Sequence, residues 1–149
     1  MKAELLEWIR SNLGKVLQSP REEKFKRGKP PQNFKIVKLD EKRERIVVQF
    51  MGSPSRTLLP LEFWRFDKVL DLISKGEWVR LGTRLFAEDS STIEWQLQEH
   101  AKKLYKRKTD YKTAPHVCDI LVLAGIAQYG YVKNPYTKRQ NQAIKELSG

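Results

Sequence analysis

The sequence predicts an α+β fold, a small, mainly antiparallel β-sheet with an N-terminal helix and a helical C-terminal half. Three observations predict it. Apolar residues near the start recur at helical spacing, two β-branched runs flank a charged turn between residues 34 and 50, and capped apolar segments of helical length follow residue 91.

Over residues 3–18, Leu5, Leu6, Ile9, Leu13, Val16 and Leu17 line one face, with Glu4, Glu7, Arg10 and Lys15 between them, so an amphipathic helix is expected. Gln18-Ser19-Pro20 stops it. Residues 20–33 (PREEKFKRGKPPQN) form a basic connector with three prolines and one glycine, too polar to contribute much core. Phe34–Leu39 and Arg45–Phe50, joined by the charged turn at residues 40–44, predict a hairpin. After a second turn at Met51–Ser55, Arg56–Leu59 can add a third strand. Pro60 suits the first position of a helix whose Phe63, Phe66, Leu70 and Ile73 share a face, with Gly76 closing it. Residues 77–82 return as a strand.

Ser91 and Glu94 have the spacing of a capping box, and Ile93, Leu97, Ala101 and Leu104 form an apolar stripe behind it. Lys102, Lys103, Lys106, Arg107 and Lys108 load the end of that helix with more positive charge than its dipole calls for. Thr113-Ala114-Pro115 begins a helix that is apolar nearly all round and ends at Gly125, so it belongs at the centre of the fold. Ile126–Val132 reads as an extended turn, and Asn134-Pro135 caps a last helix running to Leu147. Residues 92–147 could alternatively form a winged-helix-like unit. Against that, the helix that would enter a groove is too apolar, and burial is preferred for it.

The 149 residues suit one domain, 1–149, with a sheet-containing half at 34–82 and a helical half at 91–147. The ending Glu146–Gly149 after a helix is compatible with a domain excised from a longer protein. No apolar run approaches the roughly 20 residues of a membrane-spanning helix, and Met1-Lys2-Ala3-Glu4 lacks the order of a signal peptide, so a cytoplasmic location is expected. The single cysteine, Cys118, can form no internal disulfide or cysteine-based zinc site and reads as a small buried apolar residue.

Charge is the strongest functional signal. Lys and Arg number 29 against 18 acids, a net +11. Residues 21–45, 101–115 and 133–145 carry +5, +5 and +4, more than the whole surplus, so the rest of the chain is slightly acidic. Concentrated cations favour polyanions through counterion release. Aromatics are interleaved with them in Lys24-Phe25-Lys26-Arg27, Tyr105-Lys106-Arg107, Tyr111-Lys112 and the 129–136 stretch, offering faces on which bases can stack. Lys138-Arg139-Gln140-Asn141, expected at the start of the last helix, has the side-chain types that read guanine and adenine edges.

The expected activity is nucleic-acid binding, DNA before RNA, in service of a larger protein or complex. The candidate contacts are Lys24, Phe25, Lys26, Arg27, Lys29, Lys102, Lys106, Arg107, Lys108, Lys112, Tyr131, Lys133, Lys138, Arg139, Gln140 and Asn141. No catalytic residue, cofactor or metal is expected. His100 and His116 match no metal spacing, and Cys118 and His116 point to different faces of one helix. The alternatives are an adaptor for an acidic protein partner and, third, a metal-dependent nuclease built on Glu22-Glu23-Lys24 or Asp110-Tyr111-Lys112.

Overall fold

The fold is α+β, with a helix at the N-terminus, an antiparallel sheet of four strands, and helices with a second, smaller sheet in the C-terminal half. The computed structural model describes residues 1–21, 31–52, 57–82, 90–108 and 110–147. The chain divides into two compact units, Met1–Asp67 and Lys68–Gly149.

In the first unit, α1 (Ala3–Asn12) buries Leu5 and Ile9. It stops short of the predicted residue 18. Gly14, just past the cap residue Leu13, takes φ +76 and donates its N–H to Ile36 O at 2.9 Å, which turns the chain into β1 (Leu17–Gln18). Val16, counted in the apolar stripe, is left exposed. The predicted hairpin is present as β2 (Asn33–Asp40) and β3 (Arg45–Phe50), with Ile36 opposite Val48 and Leu39 opposite Ile46. Phe34, Ile36, Ile46 and Val48, from the two runs that drew the prediction, are buried at alternate positions of their strands. Of the connector, residues 22–30 lie outside the described residues, as do Ser53–Ser55 of the second turn and Arg56 at the start of the predicted third strand.

The strand order is β1-β2-β3-β4, and β4 (Leu58–Glu62) corrects the role assigned to Pro60. That residue is not the first of a helix but sits opposite Val47 in β4, an edge strand, where a missing N–H costs no ladder bond. α2 (Phe63–Ile73) begins three residues later, where Phe63 N–H reaches Glu44 O at 2.8 Å. Its buried positions include Phe63, Phe66, Val69 and Ile73, and the boundary between the units falls within it. Arg65, fully buried, donates from Nε and Nη2 to the two carboxylate oxygens of Glu62 at 3.1 and 3.2 Å.

The second unit takes the last turns of α2, then β5 (Val79–Arg80), α3 (Ile93–Tyr105), α4 (Ala114–Leu123), β6 (Ala127–Lys133) and β7 (Gln140–Glu146). Its elements run helix, strand, helix, helix, strand, strand, and its sheet is ordered β5-β7-β6. The helix expected at the centre is indeed buried, through Val117, Cys118, Ile120 and Leu121 of α4.

The predicted last helix does not form. Residues 140–146 pair as β7 with both β5 and β6, and Gln142, Ala143 and Ile144 are buried in succession, which a solvated helix would not allow. Asn-Pro serves turns as readily as helix starts, and here it opens the hairpin turn between β6 and β7. Ile126–Val132, expected as an extended turn, is chiefly strand β6.

Candidate functional site

α3 is capped by Thr92, whose Oγ1 accepts from Trp95 N–H at 3.2 Å, not by Ser91 as the capping-box spacing suggested. Ser91 Oγ instead accepts from Arg80 Nη2 at 2.7 Å. Glu94 is buried and reaches forward rather than back. One carboxylate oxygen accepts from Ala114 N–H, at the start of α4, at 3.0 Å, and the other faces Gln98 Nε2 at 3.4 Å. Burial, the largest influence, pushes this carboxyl above its ordinary range, and those hydrogen bonds only partly oppose it. The result is a polar pin between α3 and α4 at the base of the segment that joins them.

That segment carries much of the basic charge. Lys106 takes φ 54 at the C-cap of α3 and turns the chain, with the N–H groups of Lys106 and Arg107 both directed at Lys102 O. Lys106, Arg107, Lys108 and Lys112 are exposed. The Arg107 guanidinium lies 4.5 Å from the Tyr105 ring centroid and 3.4 Å from Asp110 Oδ1. Lys102, further back on α3, is half-buried beside Glu99 at 3.2 Å.

The β6–β7 hairpin is tied to α4. Gly125 takes φ +76, Ile126 N–H bonds Leu121 O at 3.0 Å, and Tyr129 Oη donates to buried Asp119 Oδ1 at 2.6 Å. β6 therefore runs back along α4 towards its beginning. From Asp119 to Ala114 is roughly 7 Å of helix, whereas from Tyr129 to Lys133 is roughly 13 Å of strand. The hairpin tip thus extends past the start of α4, the end at which Lys112 leads into it.

Asn134 makes most of the hydrogen bonds at the tip, with Thr137 Oγ1 also accepting from Arg139 N–H at 3.3 Å. Asn134 Oδ1 accepts from the N–H groups of Tyr136 and Thr137 at 2.8 and 3.2 Å, and its Nδ2 donates to Asn141 Oδ1 at 2.7 Å. Its backbone closes the turn, N–H to Arg139 O at 2.7 Å and O from Lys138 N–H at 2.9 Å. Around this clamp Lys133, Tyr136, Lys138, Arg139 and Gln140 are exposed, Tyr136 at 71%.

The structure thus leaves Lys106, Arg107 and Lys108 exposed just beyond the end of α3, Lys112 exposed two residues before α4, and Lys133, Lys138 and Arg139 exposed at the hairpin tip. Gln140 and Asn141 stand on β7, not on a helix, and Asn141 is engaged within the hairpin. Tyr131 is half-buried on the same face of β6 as Tyr129, the face turned to α4. Lys24, Phe25, Lys26, Arg27 and Lys29 lie outside the described residues. Tyr136 was absent from the sequence-derived set, although an aromatic directly after Asn-Pro is the residue such a turn presents to solvent.

Asp110, one acid of the nuclease reading, faces Arg107, while Glu22 and Glu23 lie outside the described residues. Among the described residues no helix is long and apolar enough to cross a membrane. No protein-family model matches the sequence, and no curated protein or solved structure matches it.

Proposed function

We propose that this chain is a nucleic-acid-binding module without a catalytic centre of its own, that duplex DNA is its preferred ligand, and that it serves to bring a larger protein or complex to that ligand. The observation that carries this reading is the Asn134-clamped hairpin tip, which presents Tyr136, Lys138 and Arg139 to solvent, with a second exposed basic run at Lys106–Lys108 beyond α3. A tip ordered before binding loses little conformational entropy on contact. No residue of α4 is exposed, which weighs against base reading by a helix in the major groove and for phosphate contacts with little sequence preference.

The test is binding to duplex DNA, single-stranded DNA and RNA at several salt concentrations, for the natural chain and for the double variants Lys106→Ala/Arg107→Ala and Lys138→Ala/Arg139→Ala. Each variant should bind duplex more weakly and lower the salt slope by about one to two units, with its melting temperature preserved. Unchanged affinity and slope in both variants would refute this interface. Absence of binding to every nucleic acid would favour the adaptor for an acidic partner, and cleavage on adding Mg²⁺ or Mn²⁺ would favour the nuclease.

A further inference from the structure

The sheet of the second unit has a face that the basic end does not use. Tyr129 turns towards α4, so Gln128, Gly130 and Val132 of β6 lie on the opposite side. The Trp78 indole, from the residue before β5, is laid across that side. A Cβ built on Gly130 would meet Trp78 Cη2 at 2.5 Å and Cζ3 at 2.8 Å, so only glycine admits the ring this close. Lys145, on β7 opposite Gln128, holds its Nζ 5.6 Å from the ring centroid. Trp78 nevertheless remains 38% exposed.

If the indole served only to cover the glycine, a smaller apolar side chain would do so with less area left in water. What the site offers is a large flat ring, fixed in place before any ligand arrives, with the Lys145 ammonium over it. A stacked base with its phosphate matches both features, because the base meets the ring and the phosphate meets the ammonium. Bases within a duplex keep their faces stacked on one another, so the base that fits here is unpaired.

We propose that Trp78, with Lys145, is a stacking platform for an unpaired nucleotide on the outer face of the hairpin sheet. This rests on the nucleic-acid reading above and adds a second contact surface to it. A nucleic acid with a single-stranded segment next to a duplex can then engage the tip and the platform together.

The experiment measures anisotropy of labelled oligonucleotides binding to the natural chain, Trp78→Ala and Trp78→Phe. The ligands are a single-stranded thymidine oligomer, a strand of equal length made of abasic residues, and a blunt duplex. Trp78→Ala should weaken the thymidine oligomer about tenfold, within the roughly 5- to 150-fold that one base–aromatic stack supplies. Trp78→Phe should retain most of the affinity, and duplex and abasic strands should bind all three proteins alike. Quenching of intrinsic fluorescence by the thymidine oligomer should be smaller in Trp78→Phe, a readout that does not depend on the alanine variant folding. Equal binding of the thymidine oligomer by natural and alanine proteins, with duplex binding intact, overturns the platform and spares the interface. Equal weakening on thymidine and abasic strands also overturns it, because the ring would then act through hairpin shape alone. Failure of every oligonucleotide to bind the natural chain overturns the interface and the platform together.

Discussion

Replacing Asn134 with alanine tests whether the hairpin tip is ordered by a single side chain. The substitution removes three hydrogen bonds, two accepted from Tyr136 and Thr137 N–H and one donated to Asn141. At about 0.5–1.5 kcal/mol each, they hold the tip closed by roughly 1.5–4.5 kcal/mol, with the lower end apt for a turn that water can reach. The informative amides are those of Asn134 and Lys138, whose acceptors, Arg139 O and Asn134 O, belong to the backbone and survive the substitution. Their hydrogen exchange should quicken at least tenfold, while amides in the middle of β7 stay protected. In binding, all cations remain, so the salt slope should stay constant and the affinity fall at every salt concentration. Unchanged exchange at both amides would refute the clamp. A changed slope would show that the clamp acts through charge and not through order.

Three further outcomes follow from packing and charge. Gly82→Ala places a Cβ 2.6 Å from Thr92 Cβ at a backbone φ of +77; strain plus loss of the α3 cap should cost about 2–4 kcal/mol in urea unfolding, and a loss below about 0.5 kcal/mol would contradict it. Ile120→Ala, in the buried face of α4, should destabilise by about 2–5 kcal/mol by the same measurement. For Glu94, the folded carboxyl holds its proton above the ordinary value of 4.5, so its contribution to stability is fullest below that pH and is lost as pH rises through the folded value; Glu94→Gln should flatten the stability curve from 4.5 upward, and an unchanged curve would refute the assignment.

Elements whose period matched their final environment were legible in the sequence. Ile36 and Val48 belong to β-branched runs flanking a charged turn and face one core, and α4 is apolar nearly all round and buried. Elements set by pairing partners were not. Residues 140–146 carry helix-compatible side chains, and only the neighbours β5 and β6 make them a strand. Pro60 signalled a helix start because sequence does not reveal that β4 is an edge. At the candidate site, the charge runs at 101–115 and 133–145 stood out, yet the placement of the second on a hairpin beside α4 depends on the Tyr129–Asp119 hydrogen bond and the reversal at Gly125, both consequences of the fold. Trp78 carried no signal at all, because its partner Gly130 lies 52 positions away.

Pro60 also bears on how the protein behaves in concentrated solution. β4 is an open edge flanked by the exposed Leu58, and an uninterrupted row of donors there would invite a strand from another molecule to dock. The imino nitrogen breaks that row at its middle, while the opposite edge, β1, is only two residues long among the described residues. Neither margin of the sheet offers a continuous template for intermolecular pairing, so the four-stranded sheet is guarded against growing into aggregates by edge addition.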